Sequence, residues 1–193
     1  MSQSLLIRIC DRLLAAFGLV VSAPLLVVLI LVSWWDTGSP LFLQTRVGRF
    51  GRPFTLIKLR TMHPGTPQVA THLAPKAAVT RWGKWLRATK LDELPQLINV
   101  LKGDMSLVGP RPSLTTQTEL IEARRRLGVL NAWPGVTGLA QLSGVDMSRP
   151  QLLAAVDARM LADLDLKAYL RYLLFTLLRR RMDIMINTTH ISG

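Results

Sequence analysis

The chain has 193 residues, enough for one compact domain or a small domain with an appendage. Its 24 Lys and Arg against 12 Asp and Glu leave a formal net charge of +12, yet 49% of the residues are hydrophobic. Nucleic-acid binders pair basicity with polarity, so nucleic acid is not expected as a partner, and an acidic membrane face or a phosphorylated small molecule fits better. The single cysteine, Cys10, excludes an intrachain disulfide, and the scattered His63, His72 and His190 make no zinc-type cluster with it.

Residues 13–35 carry no charge. A helix of about 20 apolar residues spans the core of a lipid bilayer. The run is too long for a cleaved signal peptide and has no small-residue cleavage site ahead of a mature domain. Pro24, near its middle, removes a backbone donor and bends or breaks a helix. Ser22 can bond a carbonyl freed there. Arg8 and Arg12 precede the run, and Arg46, Arg49 and Arg52 follow it. The positive-inside rule draws both flanks to the cytoplasm, which calls for a segment that enters and leaves on one face. A re-entrant helix-break-helix over residues 1–38 meets this demand. Ser22, Ala23 and Pro24 then form the break, and Trp34 and Trp35 lie at the interface. A single-pass anchor with a proline kink is the competing reading. Residues 39–193 form the second unit.

Residues 36–40 read as a turn. Residues 41–43 and 54–59 read as short strands around a turn over 48–53. Residues 63–80, with Pro64, Gly65, Pro67 and Pro75, read as a loop. Leu91, Leu94, Leu97, Ile98 and Leu101 recur at helical spacing, with Thr89 as N-cap and Asp92 three residues on as in a capping box. Residues 119–130 form a basic amphipathic helix, and residues 133–144 a Gly/Pro-punctuated loop. Residues 151–181 read as helical throughout, with Tyr169, Tyr172 and Phe175 on an apolar face and Arg171, Arg179, Arg180 and Arg181 on the polar side. Such a helix suits a membrane interface or packing on the domain equally. The fold class is therefore α/β, mostly α.

Asp92-Glu93 are conspicuous in so basic a chain. A carboxylate near a helix start can act as nucleophile, general base or metal ligand. Lys58, Arg60, Arg87 and Arg111 lie beside turns or helix ends, as a pyrophosphate-binding set would. Gly109-Pro110-Arg111-Pro112 is a rigid turn that presents a guanidinium, and its glycine permits close approach to a ligand. No P-loop and no GxGxxG is present, so nucleotide binding of those kinds is unsupported.

The chain resembles the bacterial sugar transferases, the small monotopic phosphoglycosyl transferases. The likeness runs from the apolar segment to about residue 178. It rests on Phe42-Leu-Gln-Thr-Arg-Val-Gly48, Lys58-Leu-Arg-Thr-Met62, Leu91-Asp-Glu-Leu-Pro-Gln96, the stretch from Asn99 to Pro112, and Trp133-Pro-Gly-Val-Thr-Gly-Leu-Ala-Gln141, in that order. The resemblance implies transfer of a sugar 1-phosphate from a UDP-sugar to polyprenyl (undecaprenyl) phosphate, with release of UMP. It implies a re-entrant membrane helix broken at Pro24 and a catalytic domain on the cytoplasmic face of the bacterial inner membrane. Asp92 would attack the sugar-linked phosphate to give a covalent phosphosugar-enzyme, with Glu93 assisting. Mg²⁺ would bridge the diphosphate close to Asp92. Lys58, Arg87 and Arg111 would bind phosphates, Gly109 and Pro110 would line the nucleotide site, and Gln141 closes the last motif.

This chain departs from the family pattern at three places. Ala23 stands where a serine often precedes the membrane proline, with Ser22 one residue earlier. Lys90 replaces a small polar residue before the dyad. Val145 stands where relatives carry an arginine, leaving Arg149 as the nearest substitute. Two other readings compete with the transferase: a basic membrane-surface binding protein, and a hydrolase of UDP-sugars or polyprenyl diphosphates using the same site. A homo-oligomer is compatible with each of these readings.

Overall fold

The computed structural model describes residues 4–66 and 78–182. Pro67, Pro75, His72 and His190 lie outside the described residues. The elements run α1 (Leu5–Thr37), β1 (Leu41–Val47), β2 (Pro53–Leu59), α2 (Arg81–Thr89), α3 (Gln96–Lys102), β3 (Ser106–Val108), α4 (Thr118–Arg126), β4 (Gly135–Thr137), α5 (Leu139–Leu142), α6 (Pro150–Ala162) and α7 (Leu166–Leu177). The fold is mostly helical with two small sheets, as expected. One is the antiparallel β1–β2 hairpin and the other the parallel pair β3–β4.

α1 keeps helical backbone on both sides of Pro24 and runs through it as one element of 33 residues. A proline removes a single donor from the ladder. With long apolar helical runs on both sides, one lost bond is not enough to end the helix. The Ser22 hydroxyl, expected to bond a freed carbonyl, is buried without a hydrogen-bond partner. The Ser4 hydroxyl starts the helix by accepting from the Ile7 N–H, and Gly38, in the left-handed region, ends it.

α1 lies against the rest of the molecule near both its ends. Ile7, Asp11, Ala15, Leu29 and Ser33 are buried, at spacings that share one helix face. Near the N-terminus, Asp11 Oδ1 accepts from the Leu107 N–H (2.8 Å), the Ser106 hydroxyl (3.0 Å) and the Tyr169 hydroxyl (2.8 Å). Arg8 donates to Asp11 Oδ2 and to the Met105 carbonyl, both at 2.9 Å. Near the C-terminus, Trp82 Nε1 donates to the Ser33 hydroxyl and the Thr80 hydroxyl to Asp36. The outer face leaves Leu13, Phe17, Val20, Val28, Leu31 and Trp35 exposed, Trp35 by 94%.

The main core joins Val100, Met105, Val108, Leu120, Ala140, Ala154, Met160 and Tyr169. Residues 133–144 hold more order than a loop. β4 pairs with β3 in the register Ser106 to Gly135 and Val108 to Thr137, and α5 follows. Their closeness depends on glycine, because a Cβ at Gly135 would collide with the backbone of Gly109. The single helix expected over 151–181 is two. α6 ends near Asp163, and Asp165 starts α7 by accepting from the Ala168 N–H at 2.7 Å. The short polar side chain captures a backbone donor that a continuous helix would have used.

Candidate active site

The dyad sits on a tight 3₁₀ turn, Leu91–Glu93, between α2 and α3. The expected capping box does not form. Thr89 is the last residue of α2, and its hydroxyl donates back to the carbonyls of Trp85 and Leu86. Lys90 closes α2 in the left-handed conformation (φ 59°), a position at which a non-glycine residue is strained by about 1 kcal/mol. Leu91 and Leu94, on either side of the dyad, pack with Trp82 and with Leu26, Leu29 and Ile30 of α1. The turn is thus seated on the C-terminal half of the apolar helix.

The two carboxylates have different environments. Asp92 is 6% exposed. Burial, then the neighbouring charge of Glu93, pushes its pKa up to about 6, against the pull of Lys58, Arg87 and Arg111. Burial also works against ionisation of Glu93. There the charge of Arg111 and its 2.7 Å hydrogen bond to Glu93 Oε1 prevail, so the Glu93 pKa lies below the ordinary carboxylate value. Neighbouring acids with separated pKa values are suited to separate roles.

The three cations at the dyad come from separate elements. Lys58 lies on β2; burial lowers its pKa to about 8, with the charge of Asp92 opposing and Arg111, Arg46 and Arg87 reinforcing. Arg87, at the end of α2, donates through Nε to the Thr61 hydroxyl at 2.8 Å. Arg111 follows β3 in a turn pinned from three directions. The Pro110 carbonyl accepts from the Gly135 N–H, the Arg111 carbonyl from Arg124 Nη1 (2.8 Å), and the Pro112 carbonyl from Arg46 Nη1 (3.1 Å). Arg124 in turn donates through Nε and Nη2 to Asp157 Oδ2, at 3.0 and 2.7 Å, in a pair whose side chains are 3% and 1% exposed.

Asp92, Glu93, Lys58, Arg87 and Arg111 are therefore brought together, Pro110 adjoins Arg111, and Arg60 shares the Phe42 ring with Lys58. Arg60 donates to the Ser39 carbonyl and hydroxyl and to the Leu41 carbonyl, so it ties α1 to the hairpin. Gly109 is held to glycine by its protein neighbours: a Cβ there would stand 2.5 Å from the Trp133 carbonyl oxygen. Arg149 is exposed at the start of α6. Val145 packs against the main core. Gln141, on α5, has both side-chain amide atoms buried without a hydrogen-bond partner, as a group awaiting one would. Arg46, Arg124 and Asp157 were not foreseen as parts of the site. Arg46 stands inside a quoted motif, but Arg124 and Asp157, 33 residues apart, leave no sequence signal of their pairing.

Among the described residues no group of three His, Cys, Asp or Glu side chains could hold a metal. One free carboxylate beside cations suits Mg²⁺ only when substrate phosphates supply the other ligands, which is this ion's usual manner of binding.

The sequence profile of the family described as bacterial sugar transferase matches residues 2–189. The chain belongs to the bacterial sugar transferase family. Among related bacterial sugar transferases, the UDP-glucose:undecaprenyl-phosphate glucose-1-phosphate transferase of Caulobacter vibrioides is 43% identical over 162 residues, covering 78% of this chain and 61% of that protein. The sugar transferase EpsL of Bacillus subtilis is 41% identical over 141 residues, covering 71% and 68%. The undecaprenyl-phosphate galactose phosphotransferase of Salmonella typhimurium is 37% identical over 163 residues, covering 74% and 33%. The chain thus spans less than two thirds of the Caulobacter relative and a third of the Salmonella one.

Proposed function

We propose that the protein is a phosphoglycosyl transferase that moves a sugar 1-phosphate from a UDP-sugar to polyprenyl phosphate and releases UMP. The observation that carries this reading is Asp92: a buried carboxylate ringed by Lys58, Arg87 and Arg111, on a turn seated against an apolar helix. A soluble nucleotide sugar and a lipid phosphate can meet there. The relatives' names supply the substrate classes.

In the first step an Asp92 carboxylate oxygen attacks the sugar-bearing phosphorus. The bond from that phosphorus to the bridging oxygen breaks, and UMP leaves. In the second, an acceptor phosphate oxygen attacks the same phosphorus and the Asp92 carboxylate is released. Lys58, Arg87 and Arg111 neutralise charge on the transferred and leaving phosphates. Glu93, paired with Arg111 and held ionised, is a weak base; its role is to aim that guanidinium. Mg²⁺, held by Asp92 and by the donor diphosphate, would supply further charge neutralisation.

The test is UMP release from a panel of UDP-sugars with undecaprenyl phosphate, together with a search for a phosphosugar bound to Asp92. Multiple turnover without acceptor would make the protein a hydrolase instead. The same assay has an expected pH profile. Asp92 must be ionised to attack, so kcat/KM falls as pH drops through about 6. Lys58 must be charged to hold phosphate, so it falls again as pH rises through about 8. A profile flat from pH 5 to 9 would contradict both roles.

The same reading makes α1 a monotopic element with both ends on the cytoplasmic face. Arg8 and Asp11 at one end and Ser33 and Asp36 at the other all bond to the same globular body. A helix fixed there at both ends is not free to carry one end across a bilayer. α7 exposes Leu170, Leu174 and Leu177 beside Arg171, as an interfacial helix does. Cysteines placed at Ser4 and Ser39 in a Cys10→Ser background should both react with an impermeant maleimide from the cytoplasmic side. Labelling from opposite sides would refute the topology.

A further inference from the structure

Arg46, which helps to pin the Arg111 turn through the Pro112 carbonyl, has donor capacity left over. Arg46, on the inner face of β1, is 9% exposed and meets no carboxylate. Nη2 donates to Gln44 Oε1 at 2.6 Å and Nη1 to the Pro112 carbonyl at 3.1 Å, while Nε is buried without a partner. Beside it the Ser113 hydroxyl is also buried and unpartnered, and the Ser113 carbonyl accepts from the Val47 N–H. A buried guanidinium with no carboxylate bonded to it is costly unless something anionic completes it. Burying Arg46 and setting it near Arg111 lowers its pKa to about 10, against the charge of Glu93. The bond from Arg46 to the Pro112 carbonyl, one residue beyond Arg111, places it beside the guanidinium that pairs with Glu93.

Four cations, Arg46, Lys58, Arg87 and Arg111, thus face two carboxylates, one of which is already spent on Arg111. That surplus suits two phosphates rather than one. We infer that Arg46 and Arg111 form a second phosphate subsite beside Glu93, used in turn by the phosphate of the departing nucleoside monophosphate and by the phosphate of the lipid acceptor. The sharing follows from the stereochemistry of the proposed reaction and rests on that reading. Displacement at phosphorus is in line. Asp92 takes one apex, so UMP departs from the other. The acceptor must then enter opposite Asp92, at the apex UMP left, as the Asp92–phosphorus bond breaks.

The experiment is calorimetric titration of UMP into the full chain in detergent, comparing wild type, Arg46→Gln and Arg46→Lys, with steady-state kinetics on the same preparations. Arg46→Gln should weaken UMP binding and raise the acceptor KM by about tenfold or more each, the scale of one charged hydrogen-bonding group. Arg46→Lys, which keeps the charge and the reach to Pro112, should recover part of both. UMP should inhibit competitively against the acceptor. UMP binding equal to wild type in a folded Arg46→Gln protein would overturn the subsite. If that variant does not fold, undiminished UMP binding by Arg46→Lys would overturn it instead. Weakened UMP binding with an unchanged acceptor KM would overturn the sharing. Should wild type release no UMP from any UDP-sugar, the transferase reading fails, and the UMP titrations still decide the subsite.

Discussion

Asp92→Asn is expected to abolish phosphosugar transfer and leave the protein at least as stable as wild type. The amide is nearly isosteric but has no anionic oxygen with which to attack phosphorus. Loss of a nucleophile typically costs a thousandfold or more, so UMP release should fall by roughly that factor and no phosphosugar should be trapped. Stability should move the other way. The folded-state pKa of Asp92 is raised, so the folded protein binds its proton more tightly than the unfolded chain does. That contribution is fully present below about pH 4 and is lost as pH rises through about 6. At neutral pH the ionised carboxylate therefore costs up to about 3 kcal/mol, which the asparagine relieves. Thermal unfolding at pH 7.5 should show the variant melting at or above wild type, with the difference vanishing near pH 4. A variant with wild-type turnover would remove Asp92 from the mechanism. One that is inactive and markedly less stable would mean that Asp92 is a structural group.

Arg124→Met should carry a large stability loss. Removing the guanidinium leaves Asp157, 1% exposed, as an uncompensated buried charge; one Asp157 oxygen already has no partner. Breaking such a pair costs about 3–5 kcal/mol, whereas replacing both members with apolar groups is often close to neutral. The double variant Arg124→Met/Asp157→Leu should therefore recover most of the loss in chemical denaturation. Because burial already raises the Asp157 pKa, the single variant should be least destabilised at acidic pH, where that carboxylate can take up a proton. Transfer should also weaken in the double variant, since Arg124 no longer donates to the Arg111 carbonyl and the turn that aims Arg111 at Glu93 loses a support. A double variant with unchanged kcat/KM would confine the pair to folding.

Much of the chemistry was legible along the chain. Asp92, Glu93, Lys58, Arg87 and Arg111 stand in short motifs, and the charge of the group is a property of residue type. The hairpin could be read as well, because strand propensity and a Gly/Pro turn are local signals, and so could the apolar stretch that became α1. Local rules failed where a neighbour in space outweighed a neighbour in sequence. Pro24 did not end α1. Thr89 faced back along α2 and did not cap the next helix. The steric need for glycine at 109 comes from β4, which passes at backbone distance. Arg60 looked equivalent to Lys58, two residues before it, yet it ties down Ser39 and Leu41.

Composition and motif thus settled which functional groups the molecule owns, that it carries an apolar helix, and which family it belongs to, since each depends on residue types and short spacings. Packing settled which of those groups act together. Whether Asp92 titrates near 6 or near 4, whether Arg46 keeps a counter-charge, and that Arg124 holds Arg111 through a partner 33 residues away all depend on burial and on distances between segments remote in sequence. Desolvation and Coulomb energies are set by those distances in space, which a linear order of residues does not contain.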